Sequence, residues 1–547
     1  MAVNHRILSP ARLPIPPLSR PGRSQTNTSY ATIRAQNVPD QNRGRLNTPA
    51  RLIAAACVAA SFLLITVSHF TIGELSVDDA ATFFVAVHPW RDLLALPVMS
   101  QGQPPLFFLA LHGWLRFGDT EPVLRVLPLV FMACAALTLL AMSWLTPATR
   151  LVSAGVLLLT GFSQYLTPTL RPYSLSVWLS LWSCLQFSWL LRDPRRRVSS
   201  YAWYIVATLL LAYSLTLAVW ALLAQGLCAL AAVAVDAIRS NLRQAVERYA
   251  ALLVSLTIVA ALYLPHAIAF LGFQAALERP TLWVTLAAIV NPRYYVSGPI
   301  YLLAMPARLG YLAVLLALAG VWRGVRDRDP LVGVLVMVIA VQIAAAHGFL
   351  AGRYGFSFRY LTPAYPALCL LAGLGADRLL SGFRRADLVL AACAACVLAA
   401  AAVTFARAPR GTPVGPWRQV ADELQRMPGA KIVFFDVGWD AQPLRYETRH
   451  DASVSLRTYD GPGWNTFGRK LTADYVAQTV DRDAASPATL LYQMDPVVGS
   501  AVFEQAFVPG MARHRCTRAF QRPVPTYVRD DAEGTGGVLY GYRCPGS

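Results

Sequence analysis

The stretch LIAAACVAASFLLITVSHFTIGELSVDD, residues 52–79, places a long apolar run directly before three acids. An α-helix needs about 20 mostly apolar residues to cross the hydrocarbon core of a bilayer. Glu74, Asp78 and Asp79 stand where the chain leaves this run, in a protein of which only 14% of the residues are charged. The stretch therefore predicts a membrane helix with a cluster of acids at its mouth.

The rest of the chain repeats this apolar pattern. Of its 547 residues 55% are hydrophobic, and the mean hydropathy is +0.44. The apolar runs are continuous rather than alternating, which favours α-helices over a β-barrel. We therefore predict an α-helical polytopic membrane protein with about eleven spans. They lie at 52–70, 122–142, 151–168, 172–191, 201–216, 217–236, 250–270, 302–322, 331–349, 360–376 and 388–405.

The net charge of +18 is unevenly distributed. Residues 1–51 carry +7, residues 52–405 carry +9 and residues 406–547 carry +2. Cytoplasmic loops of membrane proteins are enriched in Arg and Lys. With a cytoplasmic N-terminus, the inner loops hold 14 arginines and the tail 8, against 9 on the outer side. The excess thus indicates topology rather than a nucleic-acid partner, with the N-terminus inside and the C-terminus outside a bacterial inner membrane.

Lysine occurs only at Lys431 and Lys470, and no G-K-[ST] is present, which excludes a Walker-type phosphate loop. Composition divides the chain into a disordered tail (1–50), a membrane domain (51–405) with a long outer loop (71–121), and a soluble outer domain (406–547). In the last, WRQVADELQRMPGAKIVFFDV (417–437) predicts a helix, a Pro-Gly turn and a buried strand, hence a small α/β domain. Cys516 and Cys544 lie there, and an oxidising compartment would favour a disulfide between them.

Arginine stands beside tyrosine at three helix mouths on the predicted outer side. The sequences are TLRPYSL around Arg171, NPRYYVSGP around Arg293, and GRYGFSFRY with Arg353 and Arg359. Guanidinium groups pair with phosphate through two parallel hydrogen bonds, and an adjacent ring packs on a lipid or a sugar. Any one of these mouths fits an ordinary interfacial anchor, but three on one face with Asp78 favour a site for an anionic head group.

Four segments in order carry a family resemblance: SVDDAATFF, GQPPLFFLALHGWLRFGDTEPVLRVLPLVF, LRPYSLSVWLSL and FRYLTPAYPALCLLAG. Together they resemble the integral-membrane glycosyltransferases of superfamily C (GT-C), family 39, which includes dolichyl-phosphate-mannose protein mannosyltransferases and the lipid A aminoarabinose transferase. The resemblance spans residues 52–376. It implies a GT-C fold and transfer of a hexose or pentose from a polyprenyl-phosphate donor to a glycan, lipid or protein acceptor at the outer face.

In this family the first acid of the outer loop serves the acceptor, which here is Asp78. Asp79 stands where Glu is common, and its role stays open between aligning the acceptor, supporting Asp78 and holding the loop. A leaving lipid phosphate needs cations, and an inverting single displacement needs no covalent intermediate. The candidates for the phosphate are Arg171 and Arg359, then Arg293, with Tyr173 and Tyr360 beside them. Glu74, His112 and Gln103 are candidates for contacting substrate or ordering the loop.

No zinc site is expected, because the eight histidines show no ligand spacing. A divalent cation stays open as a cofactor, since Asp78 and Asp79 could hold one, although two acids without further ligands make a thin site. Two other functions stay open. A transporter or flippase of lipid-linked sugars predicts inverted repeats and broken helices, which the hydropathy pattern lacks. An O-antigen-type polymerase or ligase predicts a site in a late outer loop, whereas the acids here crowd the first. The sugar and the acceptor are not indicated.

Overall fold

The structure, a computed structural model, describes most of the chain from residue 48 onward. Residues 1–47, which include nearly all of the expected tail, lie outside the described part. The described ranges are 48–70, 74–275, 291–304, 309–350, 358–383, 385–407, 416–427, 429–435, 441–458, 472–484, 488–494, 502–524 and 537–545.

Helices make up most of the described chain as far as residue 407. They are α1 (Thr48–Phe70), α2 (Val77–Ala86), α3 (Leu96–Gln101), α4 (Leu106–Trp114), α5 (Glu121–Ala141), α6 (Pro147–Leu159), α7 (Gly161–Leu166), α8 (Tyr173–Arg192), α9 (Val198–Ala212), α10 (Val219–Arg239), α11 (Leu242–Ala275), α12 (Pro292–Ala304), α13 (Leu309–Asp327), α14 (Pro330–Ala345), α15 (Tyr365–Leu380) and α16 (Ala386–Arg407). Short 3-10 turns cover Asp92–Leu94, Leu115–Phe117, Thr216–Ala218 and Phe358–Ala364, and a π-helical turn covers Ala346–Leu350.

Helices occupy the positions of the predicted spans. Within the described ranges seven helical segments are long and apolar enough to cross a membrane, which makes the chain a multi-pass membrane protein. These segments correspond to α1, α5, α8, α10, α11, α14 and α16.

Two predicted boundaries differ from the structure. The span predicted at 151–168 is interrupted at Thr160, whose extended backbone ends α6 while its hydroxyl accepts from the Ser163 N–H and caps α7. The span predicted at 302–322 starts later, at Leu309, and the predicted outer loop 271–301 contains most of α12. That helix was missed because Pro292 and Pro299 within it are typical of a loop.

Small residues bring the helices of the bundle close together. A Cβ added at Gly320 of α13 would overlap the main-chain oxygen of Leu371 in α15, and one added at Gly375 would overlap that of Leu316. Backbones that approach this closely are typical of helix pairs in membranes, where packing rather than the hydrophobic effect drives association. The crossing of α13 and α15 therefore depends on glycine at both positions.

The outer loop 71–121 packs into the protein. Phe83 is 4% exposed, and Phe107 and Phe108 are fully buried. Helices α2 and α4 turn Phe83 and Phe107 toward the helical core, and Phe108 packs in a smaller cluster with Val85 and Leu93.

A mixed five-stranded sheet follows the bundle. Its strands are β1 (Ala430–Phe435), β2 (Val454–Arg457), β3 (Ala488–Met494), β4 (Thr517–Val524) and β5 (Gly537–Cys544). Their order is β2-β1-β3-β5-β4, with β1 parallel to β2 and β3, and with β5 antiparallel to β3 and β4. Apolar cores lie on both faces, around Phe434 and Tyr492 on one and around Trp417 and Phe435 on the other. The alternation along β1 follows from the two-residue period of a strand. The predicted small α/β domain is thus present.

The bounds in this domain are α17 (Pro416–Arg426), β1 (Ala430–Phe435), α18 (Ala441–Glu447), β2 (Val454–Arg457), α19 (Ala473–Asp483), β3 (Ala488–Met494), a π-helical turn (Phe503–Phe507), α20 (Val508–Arg513), β4 (Thr517–Val524) and β5 (Gly537–Cys544). The predicted helix and strand are present as α17 and β1, and a disulfide joins Cys516 to Cys544.

Candidate active site

Helix α2 begins immediately before the acid pair. Ser76 is its N-cap, and the Ser76 hydroxyl accepts from the Asp79 N–H at 3.2 Å. Asp78 and Asp79 thus occupy the first turn, where the partial positive charge of the helix dipole favours carboxylates. The residues S-V-D-D (76–79) fix the start of the helix and hold both acids at its N-terminal end.

Asp78 forms an ion pair with Arg359 from the 3-10 turn Phe358–Ala364. The Arg359 Nη1 donates to Asp78 Oδ2 at 2.7 Å across 281 residues of sequence, and the guanidinium lies 5.9 Å from the Tyr360 ring. Burial raises the pKa of Asp78, but the charges of Arg171 and Arg359 and the hydrogen bond from Arg359 outweigh burial. The net pKa lies below the usual 3.8, so Asp78 is ionised at neutral pH.

Arg171 is the second cation beside Asp78. It is 7% exposed, and its Nη1 donates to the Thr82 hydroxyl at 3.0 Å and to Gln101 Oε1. Its side chain also interacts with Tyr173, which is 5% exposed. Attraction to Asp78 raises the pKa of Arg171 despite the opposing effect of burial. The site therefore holds two guanidinium groups against one carboxylate.

Both guanidinium groups retain an unused donor. Among the described residues, the Nε atoms of Arg171 and Arg359 are buried and have no hydrogen-bond partner. A buried donor left unpaired costs roughly 1–3 kcal/mol, more when it is charged. Two such donors on either side of one carboxylate suit an additional anion.

Asp79 is turned away from this pair. It is 6% exposed, and its Oδ1 accepts from the Leu170 N–H at 2.8 Å. Burial raises the pKa of Asp79 to about 6, with hydrogen bonding to Ser76 lowering it and the charge of Asp78 raising it further. Because Leu170 precedes Arg171, the contact of Asp79 holds the segment that carries this arginine.

The remaining loop candidates have different environments. His112 Nδ1 donates to the carbonyl oxygen of Ala86 at 2.8 Å, which ties α4 to the end of α2. Gln103 lies just after α3, and its Oε1 is buried with no partner among the described residues. Glu74 contacts the C-terminal domain through Trp417 and Arg418.

The structure does not bring Arg293 to Asp78. Arg293 is exposed near the start of α12, and its N–H bonds to Asn291 Oδ1 at 3.1 Å. Arg353 lies outside the described residues. Of the predicted arginines, Arg171 and Arg359 share the site, together with Tyr173 and Tyr360.

Thr82 and Gln101 belong to the same group of side chains and were missed. The Thr82 hydroxyl donates to the Asp78 carbonyl oxygen at 2.8 Å and accepts from Arg171. The spacing of four residues from Asp78 places Thr82 on the same helix face, a signal that the sequence does contain. Gln101, in VMSQGQPP, has no comparable signal, since its contact with Arg171 depends on how α3 packs.

A cation shared by both acids does not fit this arrangement. Asp78 faces Arg359 and Asp79 faces the Leu170 N–H, so their carboxylates have separate partners. The described residues contain no group of three or more His, Cys, Asp or Glu that could hold a metal ion.

Comparison with known proteins relates the chain to solved structures alone. No protein-family model and no curated protein matches the chain. ArnT from Cupriavidus metallidurans in the apo state superposes with a TM-score of 0.55 at 12% identity, covering 89% of this chain and 97% of that one. The same protein bound to undecaprenyl phosphate gives 0.54 at 11% identity, with the same coverage. An oligosaccharyltransferase from Archaeoglobus fulgidus gives 0.48 at 14% identity, covering 90% and 72%. The chain thus has the GT-C fold that its motifs predicted.

Proposed function

We propose that the chain transfers a sugar from a polyprenyl-phosphate donor to an acceptor hydroxyl at the outer face of a bacterial inner membrane. In this reaction Asp78 is the general base, and Arg171 with Arg359 binds the donor phosphate. The observation that carries the proposal is the ion pair of Asp78 with Arg359 beside buried Arg171, in which each guanidinium keeps one unpaired donor.

A lipid phosphate matches the unpaired donors. Phosphate oxygens accept parallel hydrogen bonds from guanidinium groups, and such charged bonds are about twice as strong as neutral ones. The fold is shared with a protein solved with bound undecaprenyl phosphate, which supports a polyprenyl carrier. Tyr360 beside Arg359 offers a ring surface for the sugar or the isoprenoid.

Donor binding activates Asp78. The pKa of Asp78 is lowered by the same guanidinium groups that would bind the phosphate. When the phosphate shares Arg359, the carboxylate loses part of its counter-charge, and its pKa rises toward the range of a useful base. The free enzyme thus keeps Asp78 ionised, and the donor makes it basic.

The transfer step is a single displacement. The acceptor oxygen attacks the anomeric carbon as its proton passes to an Asp78 carboxylate oxygen. The bond between that carbon and the phosphate oxygen breaks, and its electron pair stays on the leaving polyprenyl phosphate. Arg171 and Arg359 stabilise the added negative charge, and the anomeric centre is inverted. A positioned base contributes on the order of 100- to 10,000-fold.

The test is sugar transfer in membrane vesicles from a panel of radiolabelled polyprenyl-phosphate sugars. Asp78→Asn should lose transfer by roughly 100-fold or more, because the amide cannot take the proton. Asp377→Asn is the matched control, since Asp377 also pairs with an arginine, Arg323 at 2.9 Å, away from the site. Full activity of Asp78→Asn at normal protein levels would remove Asp78 from the role of base.

A further inference from the structure

The C-terminal domain contacts the start of α2 through Glu74. The Glu74 carboxylate accepts from two main-chain donors in the first turn of α17, the Trp417 N–H at 3.2 Å and the Arg418 N–H at 2.9 Å. A helix N-terminus presents unpaired N–H groups and partial positive charge, so a carboxylate is its natural partner. Glu74 thereby joins the outer loop to a helix more than 340 residues away in sequence.

Arg418 extends the same contact to two other elements. Its side chain donates to Glu121 at 2.6 Å, at the start of α5, and to Glu447 at 3.2 Å, at the end of α18. Three carboxylates, from Glu74, Glu121 and Glu447, thus meet around one residue of α17. We call these four residues the clamp.

The clamp is connected to the proposed base, Asp78, through Glu74 and the start of α2. The Glu74 carbonyl oxygen accepts from buried Arg125 of α5 at 3.2 Å, so both the main chain and the side chain of Glu74 are held. Two residues later Ser76 caps α2, and Asp78 lies in its first turn. A displacement of Glu74 would therefore move the cap and the turn that aim Asp78.

A second set of contacts joins α18 to α2 itself. The Phe83 ring packs edge to face on Tyr446 at 5.1 Å, and the Arg445 guanidinium lies 4.3 Å from the Phe84 ring. The Tyr446 hydroxyl donates to the Asp119 carbonyl oxygen at 2.6 Å. Helix α18 thus covers α2 one and a half turns beyond Asp78, while the clamp holds its beginning.

We propose that the C-terminal domain is a working part of the active site, and that Glu74 and Arg418 are positioning residues that hold the first turn of α2 for catalysis by Asp78. This inference rests on the proposed function. The clamp acts on the geometry of the base, and its four residues form no hydrogen bond or ion pair with Arg171 or Arg359. Its loss therefore slows the chemical step more than it weakens donor binding.

The experiment compares three variants of the full chain in vesicles. Glu74→Ala removes the clamp carboxylate. Glu74→Gln keeps an amide oxygen that accepts one N–H. Glu423→Gln is the matched control, because Glu423 lies on the same helix α17 but pairs with Arg522 of β4 at 2.7 Å. The measurements are kcat, the KM for the donor, and amide hydrogen exchange of residues 77–86.

Glu74→Ala should lower kcat on the order of 10- to 100-fold, since misplacing a catalytic group by about 1 Å has that effect, with donor KM changed less than about twofold. Exchange in residues 77–86 should become faster, Glu74→Gln should recover part of kcat, and Glu423→Gln should resemble the native chain. Native kcat in Glu74→Ala, or equal losses in Glu74→Ala and Glu423→Gln, overturns the inference.

Two further outcomes are decisive. If Glu74→Ala does not fold, Glu74→Gln decides, and native kcat with native exchange in that variant overturns the inference. If the native chain transfers no sugar from any donor, the proposed function fails. Exchange of residues 77–86 then still shows whether Glu74 holds α2, and unchanged exchange in Glu74→Ala rejects the clamp as well.

Discussion

An arginine lies at each end of helix α8, and the two arginines differ in their exposure and in their partners. Arg171 stands just before its first turn and Arg192 is its last residue, about 30 Å away along the axis. Arg192 pairs with Asp329 at 2.6 Å, both side chains are about one-third exposed, and the guanidinium stacks on Trp144. Arg171 is 7% exposed and has an unpaired Nε.

The contrast separates an arginine whose exposed ion pair serves stability from a buried arginine that serves chemistry. An exposed pair contributes about 0–1 kcal/mol, and water can hydrogen-bond to its remaining donors. Taking a charge out of water costs desolvation that its new partners seldom recover, so a buried arginine is a poor means of gaining stability. The desolvation cost of burying Arg171 is explained if a ligand pairs with its unpaired donor, as the proposed donor phosphate would.

The largest expected effect concerns which end of α8 faces outward. An alkaline phosphatase reporter, which works only outside the cytoplasm, should be active when fused after residue 405 and inactive when fused after residue 197. The positive-inside distribution of arginine is the reason. The reverse pattern would put Arg171 on the cytoplasmic side, where it could not serve the proposed transfer at the outer face.

The second prediction exchanges the charge at each end. Arg171→Gln should raise the donor KM on the order of 10- to 100-fold and lower kcat, because the donor phosphate loses a charged hydrogen bond, which contributes about 1.5–3 kcal/mol. Arg192→Gln should change both constants less than about twofold, as for an exposed pair. Kinetics of both variants in vesicles measure the difference, and similar losses at the two ends would contradict it.

The third prediction tests the two neighbouring acids on the Arg171 end. Asp79→Asn should keep most of the activity, since the amide oxygen can still accept from the Leu170 N–H. Asp79→Ala should lose about tenfold, chiefly in donor KM, because the segment carrying Arg171 loses its tie. Asp78→Asn has the opposite profile, a loss in kcat. Equal activity of Asp79→Asn and Asp79→Ala would show that the tie is unimportant.

The fourth prediction, with the smallest change, concerns how the stability of the fold varies with pH. The folded pKa values of Asp79, about 6, and Glu74, about 7, lie above the unfolded values of 3.8 and 4.5. The folded chain therefore binds more protons, and the stabilisation is complete below the unfolded values and lost as pH rises through the folded ones. In detergent, the native unfolding temperature should fall from pH 4.5 to 7.5 more than that of Glu74→Gln. Parallel curves would contradict the raised pKa.

The sequence predicted the parts of this comparison that depend on composition. The apolar run of α8 and the acids after α1 followed from hydropathy and from the chain's low charge, and the four motifs indicated the fold. Asp78 and Arg359 could be associated because both lie in motifs. The interruption of the predicted span 151–168 at Thr160 was not predicted, because apolar residues continue on both sides of Thr160.

The other differences between the predicted and the observed site arise from contacts between elements that are far apart in sequence. Arg293 and Arg359 stand in similar Arg-Tyr segments, and only the 3-10 turn around Arg359 brings one of them to Asp78. Asp79 differs from Asp78 by which side of the first turn it occupies, a matter of about 100° of helix rotation. Glu74 finds its partners in α17, for which local sequence contains no signal.

The bond between Glu74 and α17 also sets an order of events during biogenesis. Trp417 follows Glu74 by 343 residues, so at 5–20 residues per second the ribosome makes it roughly 20–70 s later. The outer loop is therefore translated, and its helices inserted, well before its clamping partner exists. A chain that stops after α16, or that fails to fold its last domain, would reach the membrane without the clamp, so on the proposed function its transfer activity should be far below that of the completed molecule.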